Sequence, residues 1–472
     1  MANAPGWRYA HGVTVKADGG TRVRMRNVVA RHIVAPILWA LVALVLAPAP
    51  GSGQTYQLTD LGSLGGVKGS GAYALNGTGL VAGYSFVAGS SFVHAMVNDR
   101  GAVQDLGTLG GTQSLARAVN ASGWVVGWAY PPGVAWQRAF LWRDGVMVDL
   151  GTFGGVSSDA IDINDAGVIV GSSSNPAGDE MGFWWREGVL HPMGTLGGLN
   201  SRGMAVNRWG DITGMSSTPG EDEYHAFLTK PGSALYDLGT LGGPATHGHD
   251  VNDLVHVCGW SMIQAHNPAS RGFFWADGIM KSLGTLGGIY SAAFGMNNHD
   301  QVVGASTRAD EVQVAFLWRN DQMVDLNTLV PAGTPLLLTA AYDIDEQGAI
   351  VGVGTRPDGE TRAFLLTPTN TAGTPDPGVP AVTSFAGVIP NPARGPSRFD
   401  FALARAGHAS LVLLDVSGRI VRSLADGAFG AGPQQVAWDG RDQSGARVAP
   451  GIYHALLVTA QGTYTRRIAV VF

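Results

Sequence analysis

Cysteine is almost absent: the chain of 472 residues holds one, Cys258. An intrachain disulfide is thereby excluded, as is a metal site built from several thiolates. Stability has to come from packing and hydrogen bonds. Charge is scarce too, at 14% of residues, against about 25% in ordinary soluble chains. The net charge of −6, with few lysines and scattered arginines, excludes the basic stripe of a nucleic-acid surface. Nucleophile-elbow, P-loop, HExxH and serine-triad signatures are missing. What the chain has in excess is glycine, 69 residues, roughly double the usual share. Because 45% of residues are hydrophobic, a core is available. The composition therefore fits many short strands joined by tight turns, not disorder.

The one basic cluster, Arg22 to Arg31, precedes an apolar run from Ile33 to Ala47 and the small residues Gly51-Ser52-Gly53. That order is the order of a secretory signal peptide. The run is about 15 residues, short of the ~20 that a spanning helix needs. Pro50 disfavours cleavage after Ala49, so the mature chain is expected to begin near Gln54, with Met1 or Met25 as the start. An uncleaved N-terminal anchor is the alternative. With no cysteine for a lipobox, a lipoprotein is not expected. Residues 1–53 thus read as a signal region, and the protein as secreted or displayed at the cell surface, with no stable membrane span after cleavage.

A Gly-rich phrase then recurs at Asp60, Asp105, Asp149, Pro192, Asp237, Ser282 and Asp325, spaced 43 to 45 residues apart. Such regularity means one supersecondary unit copied in tandem. Four strand signals fill each unit. The first ends in Asn or Asp (Asn76, Asn120, Asn164, Asn207, Asn252, Asn297, Asp345), residues that suit a hairpin turn. The second carries Val81, Val125, Ile169, Ile212, Val257, Val302 or Ile350, then a second apolar or small residue, then glycine. Apolar neighbours at successive positions mean a strand buried on both faces. The third is Ala/Gly-aromatic-apolar, as in Ala139-Phe140-Leu141-Trp142, and the fourth resembles Met147-Val148-Asp149-Leu150.

Four antiparallel strands per unit with fixed-length crossovers predict an all-β fold: a seven-bladed β-propeller of four-stranded blades over 54–368. An open solenoid is the rival. The ends favour the propeller, because Tyr56–Leu61 lacks a local partner and Ala363–Leu366 lacks a following strand. Pairing them would close the ring and remove exposed edges.

The phrases His225-Ala226-Phe227-Leu228 and Asp237-Leu238-Gly239-Thr240-Leu241-Gly242-Gly243 resemble the bacterial extracellular HAF repeat. Arg138, Val314 and Arg362 depart from it at the histidine. The resemblance implies an extracellular location and little about activity. A Thr/Pro/Gly-rich linker follows at 369–381, then short alternating strands over 382–472 that predict an Ig-like β-sandwich. Asn391-Pro392, Asp415 to Arg419, Trp438 to Asp442 and Pro450-Gly451-Ile452-Tyr453 resemble the FlgD-type Ig-like domain and the type IX secretion sorting domain. Either implies a structural or sorting module.

Candidate sites fall into four groups. Asp162, Asp250 and Asp343 replace Ala or Gly on the first strand; they are candidates to line the channel and hold a cation or water, with buried turn bonding as the plainer expectation. The variable loops between second and third strands offer aromatic and acidic binding candidates: Trp128, Tyr130, Trp136, Trp260, Glu221 and Asp222. His247, His249, His256 and Cys258 cluster in sequence without ligand spacing, so no metal site or cofactor is expected; Cys258 should be packed and inert. The repeated aspartates at the fourth strand, Asp60 among them, should accept crossover N–H groups, and Asp439 and Asp442 should bond their own turn. The expected role is a non-enzymatic binding or structural module for an unknown protein or glycan ligand. A propeller-type glycan hydrolase or lyase, using carboxylates from the variable loops, is the alternative.

Overall fold

The computed structural model describes residues 54–220, 223–264, 269–369 and most of 383–471. The expected signal region 1–53 and nearly all of the linker lie outside the described residues. The described chain is all-β apart from a short 3-10 turn at Leu326–Thr328.

Each repeat folds as antiparallel strands paired in chain order. The first strands of units one to seven are Gly65–Leu75, Ser114–Val119, Ser158–Ile163, Ser201–Val206, Thr246–Val251, Gly287–Met296 and Leu337–Ile344. Each packs beside the first strands of the units before and after it, and that of unit seven packs beside that of unit one. Unit seven takes its fourth strand from the other end of the repeat region: Thr55–Asp60 pairs with Thr361–Thr369, from Thr55↔Thr369 to Asp60↔Phe364. The strand runs on to Thr369, one residue past the expected domain end.

Every first strand carries a one-residue bulge. The extra residues are Tyr73, Arg117, Ile161, Met204, His249, Phe294 and Tyr342. A bulge re-aims side chains and bends its strand. It also explains the glycine in every second strand. A Cβ added at Gly127, Gly171, Gly214 or their equivalents would strike a carbonyl oxygen of the bulged strand. The aromatic of the third strand fills the space beside it; Phe140, Phe183, Phe227, Phe273, Phe316 and Phe364 are all fully buried.

Two hydrogen-bond devices join unit to unit. The turn asparagine accepts N–H groups two and four residues on, as Asn164 does from Ala166 and Val168. Its Nδ2 then donates to the backbone oxygen of the next unit's asparagine, in an unbroken series from Asn76 to Asp345. A serine at the start of the first strand does the second job. Ser158 Oγ accepts from Ala139 N and donates to Gly151 O; Ser70 likewise accepts from Ala363 N of unit seven.

Beyond the linker, strands Ser384–Ile389, Ser397–Leu403 and Gly432–Trp438 form one sheet, and Gly407–Asp415, Ile420–Phe429, Gly451–Thr459 and Gly462–Val470 another. Phe385, Phe399, Trp438, Leu411 and Ile468 share one core between them.

Candidate functional site

The bulge residues meet where the first strands converge. Tyr73 stands edge-on to Tyr342 at 4.8 Å, Phe294 stacks on Tyr342 at 5.2 Å, and His249 meets Phe294 at 5.4 Å. Arg117 lies over Tyr73 at 5.9 Å. These side chains form one series of contacts across units five, six, seven, one and two.

One residue along, Asp162, Asp250 and Asp343 come from units three, five and seven. One carboxylate oxygen of each accepts the next N–H of its own strand, at 2.7 to 2.8 Å. The other accepts an N–H from the following unit: Val206 at 2.8 Å, Met296 at 2.7 Å, and Leu75 at 2.9 Å. The plainer expectation, turn bonding, was therefore incorrect in its partner; each aspartate joins two units. Burial pushes their pKa up, to about 6 for Asp162, 8 for Asp250 and 7 for Asp343. For Asp250 the charges of Asp343 and Asp162 push in the same direction. Among the described residues no three His, Cys, Asp or Glu side chains form a metal-ready group.

Upstream of the bulges, polar residues of units two to four interlock. Asp159, with its side chain 5% exposed, receives Arg117 Nη2 at 3.2 Å and Arg202 Nη2 at 2.8 Å on one oxygen. Its other oxygen has no hydrogen-bond partner, nor do Arg117 Nε and Arg202 Nε. Glu180 sits 3.8 Å from Arg202 and accepts from Ser172 Oγ at 2.5 Å. On the far side, His247 packs against Trp260 at 4.2 Å, with Tyr224 at 6.3 Å. Burial pushes His247 down to about 3 and His249 to about 4, helped by the nearby Arg202 charge, so both rings are neutral. Sequence reasoning passed over Arg117, Asp159 and Arg202. A signal existed: Asp159, Arg202 and His247 occupy one repeat position in three successive units, where units six and seven carry Ala292 and Ala340.

Of the loop candidates, Trp260 belongs to this cluster. Trp128 is half-buried and meets Tyr130 edge-on at 5.7 Å; Trp136 is 54% exposed. Glu221 and Asp222 lie outside the described residues. The sequence cluster around Cys258 disperses: Cys258 is fully buried, its thiol pushed well up by burial, and His256 bonds Asp300 at 2.8 Å. Asp60, Asp105, Asp149 and Asp237 each accept the N–H of the glycine two residues on. Asp439 and Asp442 bond N–H groups of their own turn. A groove of about 630 Å³ between Thr55–Leu58 and Thr328–Pro335 is lined mainly by apolar groups.

Among solved structures, the chain is similar to PorZ, a bacterial surface component of the type-IX secretion system of Porphyromonas gingivalis, at 12% identity and a TM-score of 0.37, covering 85% of this chain and 59% of that one. It is similar to TolB from Acinetobacter baumannii at 10% identity and a TM-score of 0.36, covering 59% of this chain and 60% of that one. A fungal alcohol oxidase of the AA5 family, in complex with copper, aligns at 11% identity and a TM-score of 0.40, covering 89% of this chain and all of the other. Likenesses this distant carry no argument about role. No curated protein matches the sequence. One family model does match: residues 392–463 are similar to the FlgD Ig-like domain.

Proposed function

We propose that this protein is a secreted or cell-surface, non-enzymatic binding module. In this reading 54–368 is a closed seven-bladed propeller built from HAF-like repeats, and 382–472 is a structural or sorting domain of FlgD Ig-like type. The cyclic packing of first strands, with unit seven beside unit one, supports closure over an open solenoid. The export signal read in 1–53 and the extracellular character of the repeat support the location.

The observation that carries the non-catalytic reading is how the central carboxylates are held. Asp162, Asp250 and Asp343 each accept backbone N–H groups on both oxygens, and Asp159 is clasped by two arginines. A glycosidase needs two carboxyls facing across a bond, one free to give a proton and one to take it or attack. Groups tied into the scaffold support a rigid recognition surface instead. The test is incubation of the exported protein with panels of glycans and surface proteins, followed by product analysis. Retention of a ligand with no chemical change is expected. New reducing ends or unsaturated sugar products would overturn the reading in favour of the hydrolase or lyase.

A further inference from the structure

We propose that the C-terminal Ig-like domain docks on the repeat region through a latch at Trp209, at the end of the repeats opposite the variable loops. The docked domain then presents those loops on the side away from itself; this deepens the binding-module reading and rests on it.

Three observations lead there. The first is a departure from the repeat. The turn after the first strand of unit four reads Asn207-Arg208-Trp209-Gly210. No other unit has a tryptophan at the place of Trp209 or a basic residue at that of Arg208. The turn does not need the indole. Asn207 Oδ1 accepts the backbone N–H groups of Trp209 and Asp211, as Asn164 does in unit three without a tryptophan. The second is what meets the ring. Arg398 of the Ig-like domain lies over it at 4.2 Å, and Arg208 at 5.3 Å. An indole face is the best aromatic partner for a guanidinium. Arg398 and Asp400 alternate along strand Ser397–Leu403 with Phe399 and Phe401, which are buried in the sandwich core. Both therefore point away from that core. Asp400 accepts from Arg398 Nε at 3.0 Å and lies 2.9 Å from its Nη2, which fixes the plane of the guanidinium. The third is charge across the junction. Asp253 of unit five accepts from Arg208 Nε at 2.6 Å. Burial pushes the Asp400 carboxyl up, and the charges of Arg398 and Arg208 pull it back. Asp253, Arg208, Asp400 and Arg398 thus alternate in sign from one domain to the other.

Among the described residues no strand of the sandwich pairs with a strand of the repeats, so the junction rests on side-chain contacts. A tether as short as 370–382 gives an effective concentration on the order of millimolar, which favours contacts too weak to join separate molecules. The placement follows from strand direction. Successive turns of an antiparallel unit lie at alternate ends. The turn of Trp209 joins first strand to second, and the variable loops join second to third. The Ig-like domain and the loop of Tyr130 and Trp136 therefore belong to opposite ends.

The experiment is a distance measurement by pulsed electron spin resonance on the full exported chain. Cys258 is buried, so spin labels go to introduced cysteines. Ile279→Cys, on the outer strand of unit five and 71% exposed, is paired with Val416→Cys in the Ig-like domain, 75% exposed. One narrow distance distribution is expected. Trp209→Ala and Arg398→Gln should each shift the docked-to-free ratio roughly two- to thirtyfold toward free, the range of one lost cation–π contact. The double variant should go no further than the larger single one, since both remove the same contact. Tyr236→Ala, on the outer strand of unit four and 60% exposed, should leave the distribution narrow. Circular dichroism of the variants separates misfolding from undocking. Pairing Val416→Cys with Trp136→Cys, on a variable loop, should give a longer distance than pairing it with Ile279→Cys; a shorter one overturns the placement. A broad distribution with Trp209 and Arg398 intact overturns the docking. A narrow one kept in both folded variants overturns the latch. None of these readouts needs a ligand, so a docked chain that retains nothing from the glycan and protein panels would overturn the binding-module reading and leave the docking standing.

Discussion

At the scale of single residues, the glycine of each second strand shows how much of this fold rests on one missing methyl group. Gly171 faces the carbonyl of Asp159, which the bulge pushes toward it. Gly171→Ala should therefore destabilise the protein by about 3 kcal/mol, near the upper end of ordinary overpacking because the obstacle is backbone. Urea unfolding measures it; a midpoint shift within error would remove the steric account. The repetition of that glycine was plain in the sequence, but its cause was not, since a bulge on the partner strand has no composition of its own. The central aspartates were legible as departures from Ala or Gly, yet their partners lie in the next unit and were not. Those aspartates also set a pH dependence. Burial raises the pKa of Asp162, Asp250 and Asp343 from 3.8 to about 6, 8 and 7. The folded state then holds protons that the unfolded state releases, so their contribution is lost as pH rises through the folded values. His247 and His249 act oppositely, but only below their ordinary value of 6.5. Above about pH 6.5 the aspartates act together with His299, whose pKa the Glu346 hydrogen bond raises, and the melting temperature should fall up to about pH 8.5. Asp250→Asn should flatten that fall; an unchanged slope in the variant would assign it elsewhere.

At the scale of elements, the turn after each first strand does two jobs, and asparagine is the residue that can do both. Its oxygen closes the turn, and its Nδ2 reaches the next unit. The sequence showed the first job through the Asn or Asp that ends each first strand; the second needs the neighbouring unit in place. Unit seven has Asp345 instead, which closes its turn through Gln347 and Ala349. At the junction to unit one, Asp343 accepts from Leu75 N in place of the missing amide donor. Asn164→Asp should thus cost about 2 kcal/mol, because it removes a buried donor and adds a charge beside Asn207 O. Asp345→Asn keeps both turn bonds and should change stability by less than about 0.5 kcal/mol. Thermal melts of the pair decide it; equal losses at both positions would mean that the inter-unit donor contributes nothing. The same division holds for strands. Their number and order were readable from periodicity, while the first strand's early start at Gly65 and Gly287 was hidden in a Gly-rich stretch that reads as loop.

At the scale of the whole molecule, the two ends of the repeat region are tied together by one strand. Thr55–Asp60 covers the edge of Thr361–Thr369. Tyr56 is 1% exposed and packs with Leu338, Leu366 and Phe364 in one cluster. Arg356 bridges to Asp60 at 2.6 Å across 296 residues of chain. A chain starting at Gly62 would leave that edge with a row of unpaired backbone groups above an apolar face, each costing roughly 1–3 kcal/mol where buried. The sum is comparable to a domain's whole net stability of about 5–15 kcal/mol. An edge of that kind also templates pairing with another chain. The Gly62 chain is therefore expected to aggregate, or to dimerise by exchanging strands. A chain ending just after Thr369 keeps the last strand complete and loses the contact of Arg398 with Trp209 but no strand pairing of the repeats. It should melt within a few degrees of the intact repeat region. Comparing the melts of these two truncations isolates the closing strand from mere shortening. If the Gly62 chain melts as high as the one ending after Thr369, closure does not hold the repeats together. Stability would then reside in contacts between successive units, as in an open solenoid, and the seven-bladed ring would have to be given up.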